Sequence, residues 1–183
     1  MVRDYIQSLE KLVSFNNVSM KSLPHAKSSL ILYKIEDSLI EFCVDFSRLT
    51  KKSLSETLNN LSHILGYGLG STPESDDIFL GVLIALYCMN PTLKKESEFL
   101  SVLPFERYTT AKSAQLIRRI LKQHFPPEII PFIELLKNSF RGNYRKSSFE
   151  QEIRKIRALG ASSGHYFLIG VLWELKFLSK NEK

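Results

Sequence analysis

Two apolar segments of this chain align without a gap and carry a glycine at the same place. Ser75-Asp76-Asp77-Ile78-Phe79-Leu80-Gly81-Val82-Leu83-Ile84-Ala85-Leu86 lies on Gly164-His165-Tyr166-Phe167-Leu168-Ile169-Gly170-Val171-Leu172-Trp173-Glu174-Leu175, so Gly81 matches Gly170 and Val82-Leu83 matches Val171-Leu172. Inside a helix, glycine is less favourable than alanine by about 1 kcal/mol. Its recurrence at one register therefore implies two helices whose backbones approach closely. Seven of the eight glycines fall within or just before these segments, and none occurs in the first 65 residues. The expectation is a paired-helix centre with both helix starts facing one pocket.

Each helix start is rich in glycine and hydroxyl groups. The first is Gly66-Tyr67-Gly68-Leu69-Gly70-Ser71-Thr72-Pro73-Glu74-Ser75, and the second is Gly160-Ala161-Ser162-Ser163-Gly164. Thr72 is expected to cap the helix, with Pro73 at the first helical position and Glu74 in the first turn. That suffices for a well-made helix start. Free backbone N–H groups at such an end, with glycines permitting close approach, also suit a phosphate or carboxylate. No lysine follows the glycines as it does in a P-loop. The donors in this reading are Gly66, Gly68, Gly70, Ser71, Thr72, Ser75, Ser162, Ser163 and Gly164.

Asp76 and Asp77 are consecutive, so on a helix they point roughly 100° apart. One is expected to favour the helix dipole at the surface, while the other turns into the pocket. There it would accept from an amide or ammonium group, act as a general base, or hold magnesium through water. No third ligand is evident, so no metal and no cofactor is expected; the bland alternative makes both acids dipole partners. His165 stands where Asp76 does in the repeat. It is either a packed histidine or an acid/base and anion partner beside Ser162 and Ser163.

The net charge of +6 is uneven: residues 1–100 hold 10 basic and 12 acidic groups, and residues 101–183 hold 15 and 7. Arg118-Arg119 and Arg154-Lys155-Arg157 sit among helical apolar positions and read as solvated faces. Zinc-finger spacing, an aromatic-basic RNA signature and an arginine-rich tail are all missing, so nucleic acid is not an expected partner. Cys43 and Cys88 lie far apart among apolar neighbours, as buried thiols do in a reducing compartment. No apolar run approaches 18 residues and the first residues lack a signal-peptide core, so a cytoplasmic protein without a membrane partner is expected.

At 183 residues and 44% hydrophobic content, the chain is expected to form one domain, 1–183, with residues 1–50 as an N-terminal helix and β-hairpin and 51–183 as a helical core. Val2, Tyr5, Ile6, Leu9, Leu12 and Val13 repeat at helical spacing. Leu30, Leu32, Ile35, Leu39, Ile40, Phe42, Val44 and Phe46, with Glu36-Asp37-Ser38 between them, read as two strands and a turn. From Ser53 onward the chain reads as helical. Segments are expected at Ser53–Leu65, Ile78–Met89, Lys94–Leu103, Ala111–His124, Glu128–Phe140, Ser148–Leu159 and Ser163–Leu178, separated by Pro91, Pro104, Pro126-Pro127 and Gly160. The fold class is thus mainly α, with one short hairpin and an internal pseudo-repeat.

Gly66-x-Gly68-x-Gly70-x-Thr72-Pro73-x-x-Asp76-Asp77 followed by Gly81 resembles the signature of AllH-type proteins, which include a subunit of oxamate carbamoyltransferase. Tyr108-Thr109-Thr110-Ala111-Lys112-Ser113 is similar to the family's Thr-Thr-x-x-Ser segment, and Gly160-Ala161-Ser162-Ser163-Gly164 with Gly170 to its late Gly/Ser element. Tyr166 stands where the family tends to carry aspartate. The resemblance covers about residues 60–175 and adds Thr109 and Thr110 to the ligand-binding set. It implies a small anionic metabolite of the carbamoyl phosphate or oxamate kind as ligand. It also implies separate partner subunits or a homo-oligomer, so that the chain is a carbamoyltransferase subunit and not a complete enzyme. The rival expectation is a non-catalytic assembly subunit whose glycine turns only pack helices.

Overall fold

The helix Glu74–Met89 is apolar on every side, and its residues from Ser75 to Cys88 are all buried. A helix of that composition belongs in the middle of a fold, with other elements laid around it. The computed structural model describes residues 6–7, 9–10, 24–48, 54–90, 100–141 and 146–181. Among these, seven α-helices follow in order: α1 Pro24–Arg48, α2 Leu54–Ile64, α3 Glu74–Met89, α4 Ala111–Leu121, α5 Ile130–Phe140, α6 Lys146–Arg157 and α7 Ser163–Asn181. Short 3₁₀ turns occupy Phe105–Arg107 and Pro127–Ile129. No strand occurs among the described residues.

The glycine register places α3 against α7 as the sequence implies. A Cβ at Gly81 would stand 2.0 Å from the Phe167 carbonyl oxygen, and one at Gly170 would stand 1.9 Å from that of Ile78. Only hydrogen fits in those gaps, so the two backbones touch. Gly164 repeats the device between α7 and α6, where a Cβ would lie 1.8 Å from the Ile156 carbonyl oxygen. Helices α1, α2, α4 and α5 pack on α3, and α6 bridges α5 and α7. Phe42 of α1 meets Phe79 of α3 edge to face at 5.1 Å between centroids. Phe132 of α5 lies between Phe149 of α6 at 5.9 Å and Phe167 of α7 at 6.1 Å.

The expected β-hairpin is corrected by α1, which runs unbroken through the proposed turn Glu36-Asp37-Ser38. Among its described side chains the buried ones are Ile35, Leu39, Phe42 and Cys43, at helical spacing, while Leu30 is 60% exposed. The alternation of apolar residues is therefore incidental. No glycine, proline or asparagine interrupts residues 25–48, so no turn signal competes with the helix.

The expected helix start at Thr72 also shifts: Pro73 is the residue that flanks α3, without a side-chain cap. The reason lies in the preceding turn, which itself supplies the acceptor for the Ser75 N–H, the Tyr67 carbonyl at 3.0 Å. Of the expected N-terminal helix, residues 6–7 and 9–10 are described and helical, with Leu9 buried and Glu10 paired to Lys176 at 2.5 Å; the remainder lies outside the described residues. So does most of the expected Lys94–Leu103 segment, of which residues 100–103 are described.

Candidate functional site

Three consecutive side chains at the start of α3 reach back to hold the glycine turn. The Leu69 N–H donates to Glu74 Oε2 at 2.6 Å, the Tyr67 N–H to Ser75 Oγ at 2.9 Å, and the Gly66 N–H to Asp76 Oδ1 at 2.8 Å. The glycines make room for this. A Cβ at Gly68, where φ is +127°, would fall 1.6 Å from Glu74 Oε2, and one at Gly66 would fall 2.2 Å from the Tyr108 carbonyl oxygen. The Gly66 N–H is therefore already committed to a protein acceptor. At the second helix start the Gly164 N–H donates to the Leu159 carbonyl at 3.0 Å, and the Ser162 carbonyl receives the N–H groups of His165 and Tyr166.

Residues 108–113 close over this turn. The Thr109 hydroxyl donates to Asp76 Oδ2. The Thr110 hydroxyl donates to the Ser71 carbonyl at 2.6 Å and accepts the Ser113 N–H at 3.2 Å, capping α4. Lys112 Nζ donates to Ser71 Oγ at 3.2 Å. Thr109 and Thr110 thus stand against the glycine turn, one on Asp76 and the other on Ser71.

The two aspartates differ in what surrounds them, and neither is at the surface: Asp76 is 0% and Asp77 4% exposed. Burial raises the pKa of Asp76, against hydrogen bonds from Thr109, Gly66 and Ser75 that hold it down. Asp76 is a tether. Burial pushes Asp77 up to about 7, opposed first by a hydrogen bond from Ser163, raised further by the charges of Asp76 and Glu74, and lowered by Lys112. Asp77 Oδ2 is buried and has no hydrogen-bond partner. The Ser163 hydroxyl that serves Asp77 lies 3.1 Å from Thr72 Oγ1, so Thr72, Ser163 and Asp77 form a chain of oxygens joining the two helix starts.

Asp77, Ser163 and Gly164 line a cavity of about 240 Å³ between α3, α4, α6, α7 and the Pro127–Ile129 turn. Its walls are apolar, chiefly Leu80, Leu116, Ile120, Ile156, Leu159 and Phe167. Thr72, Ser162 and His165 are not among its lining residues. His165 is half-buried, its ring 5.6 Å from that of Tyr166. Gly70 stands in open space, and Ser71 is exposed on the turn. A carboxyl that titrates near neutrality, in an apolar hollow with one oxygen unpartnered, is equipped to receive an N–H group or a proton.

Sequence reasoning missed Lys112, Glu174 and the cavity walls. Lys112 carried a signal, since it sits inside the Thr-Thr-x-x-Ser segment. Glu174 is the single acid in an apolar helix and is 0% exposed; it accepts from Cys43 Sγ at 3.1 Å, and burial pushes it up to about 7. Both cysteines are free and buried, as expected. Among the described residues, no three His, Cys, Asp or Glu side chains come together to hold a metal ion, and no helix is long and apolar enough to cross a membrane.

No solved structure matches this chain. Residues 64–175 match the family described as oxamate carbamoyltransferase subunit AllH. That span begins just before the glycine turn and ends in α7, enclosing the tether, the chain of oxygens and the cavity. With more than half of its length matched, the chain belongs to the AllH family of oxamate carbamoyltransferase subunits.

Proposed function

We propose that this chain serves as the small-metabolite-binding subunit of a cytoplasmic carbamoyltransferase-type assembly, and that Asp77 receives the N–H end of a carbamoyl or amide group. The observation that carries this is the buried, unpartnered Oδ2 of Asp77, a residue that lines the apolar hollow. An orphaned buried acceptor is destabilising by about 1–3 kcal/mol unless a ligand completes it. Ser163 and Thr72 fix the carboxyl from the side, while Asp76 holds the glycine turn in place and does not itself meet the ligand. The anionic end of a metabolite such as carbamoyl phosphate or oxamate would be met by Lys112 and the hydroxyls of Ser71 and Thr72. In this reading His165 supports the second helix start.

Thermal denaturation with carbamoyl phosphate, oxamate, inorganic phosphate and a nucleotide tests the reading. Carbamoyl phosphate and oxamate are expected to raise the melting temperature of the wild type and to lose that effect in Asp77→Asn. The same shift in both proteins, or none in either, would refute it. A second reading, a purely structural subunit, is favoured by the committed N–H groups of Gly66, Tyr67, Leu69 and Gly164. It requires that Asp77→Asn leave every activity of the assembled complex intact.

A further inference from the structure

The cavity beyond Asp77 is unlike a site for a small anion. The charged residues lining it are Asp77 and Glu128, both acids, and neither lysine nor arginine lines it. Lys112, whose charge lowers Asp77, is directed to Ser71 on the turn and is absent from the lining. An anion placed within the hollow would thus face carboxylates across apolar walls. An alkylammonium fares little better: Glu128 is exposed, so the cation would be desolvated against the one buried carboxyl, which offsets the attraction it gains. A neutral N–H donor avoids both difficulties. Size points the same way: apolar cavities of about 150 Å³ admit a benzene ring, and this one is about 240 Å³.

We infer that the hollow takes the uncharged aliphatic body of a primary amide, urea or carbamate whose N–H head rests on Asp77. This rests on the reading that Asp77 receives such a head, and adds what the head is attached to. Methylenes packed against Leu80, Leu116, Ile120 and Phe167 leave water, whereas the carboxylate of oxamate must stay in it. The ligand's head supplies specificity and its body supplies affinity.

Calorimetric titration of the full chain with valeramide, butylurea, butylamine and oxamate tests the inference, using wild type, Asp77→Asn and Leu116→Phe. Leu116 lines the cavity and is half-buried, so phenylalanine there takes up part of the hollow while leaving the acid in the chain. Valeramide and butylurea are expected to bind the wild type roughly tenfold or more tighter than oxamate or butylamine. Both variants, shown to be folded by circular dichroism, are expected to lose at least that factor. If oxamate or butylamine binds as tightly as the aliphatic amides and needs Asp77, the inference is overturned while the role of Asp77 stands. If no probe binds, or binding ignores Asp77→Asn, both fall.

Discussion

Replacing Asp77 by asparagine should change how stability depends on pH more than it changes stability itself. The carboxyl is 4% exposed, and burial moves it from the usual 3.8 to about 7. In the unfolded chain it ionises near 3.8, whereas the native protein keeps its proton until about 7. The native state therefore holds more protons through this window, and stability falls as pH rises from about 4 through 7. That interval corresponds to on the order of 4 kcal/mol, present in full below the lower value and lost above the upper one. Asparagine has nearly the same shape and does not ionise. Its new N–H₂ group enters an apolar hollow, which is unfavourable by about 1–3 kcal/mol. The variant should thus be the weaker protein at pH 4.5 and the stronger at pH 8.5. Urea titrations followed by far-ultraviolet circular dichroism across that range measure the difference directly. A gap between variant and wild type that rises by several kcal/mol supports the argument; two parallel curves would refute it. Asp76 does not confuse the outcome, since relief of its repulsion in the variant only adds in the same direction.

Glu174→Gln should behave likewise: with burial pushing the acid to about 7, its relative advantage is expected to grow by on the order of 3 kcal/mol between pH 5 and 8 in the same urea titrations. The Gln carbonyl keeps an acceptor for the Cys43 thiol, so a pH-independent loss would instead mean that Glu174 is ionised and paired. Gly170→Ala and Gly160→Ala form a contrast. The first places a methyl 1.9 Å from the Ile78 carbonyl oxygen, and overpacking of about 1–3 kcal/mol or more is expected to exceed the roughly 1 kcal/mol gained in helix propensity. At Gly160 the nearest atoms are 3.6 Å away and only the positive φ of +62° matters, a loss of about 1–2 kcal/mol. A Gly170→Ala variant with a urea midpoint at or above that of the wild type would mean that α3 and α7 are not in backbone contact.

Much of the site's framework was legible because helix pairing and turn chemistry are local. Gly81 and Gly170 announced a close approach, since a glycine in an apolar helix has few other uses. Gly66, Gly68 and Gly70 announced a turn with positive φ. The misread hairpin shows where that legibility ends. Phe42, Val44 and Phe46 are spaced two apart as in a strand, yet Ile35, Leu39, Phe42 and Cys43 also fit a helix, and only burial against Phe79 and Glu174 favours the second pattern. Thr72 was misassigned for a related reason: its hydroxyl suits a cap, but Ser163, 91 positions away, takes it instead.

By itself, then, the sequence determined that two glycine-marked helices lie together, that a strained turn precedes the first, and which family carries that pattern. Periodicity and backbone sterics are written in neighbouring residues. Tertiary structure alone decided which aspartate is a tether and which keeps an unpartnered oxygen. Asp76 and Asp77 are adjacent and chemically identical, and a rotation of one residue on α3 sends one to Gly66 and Thr109 and the other to Ser163 and the hollow. The walls of that hollow come from α3, α4, α6, α7 and the Pro127–Ile129 turn, which no sequence window spans. Burial, and with it the unpartnered oxygen and the pKa near 7, exists only once those helices have closed around it.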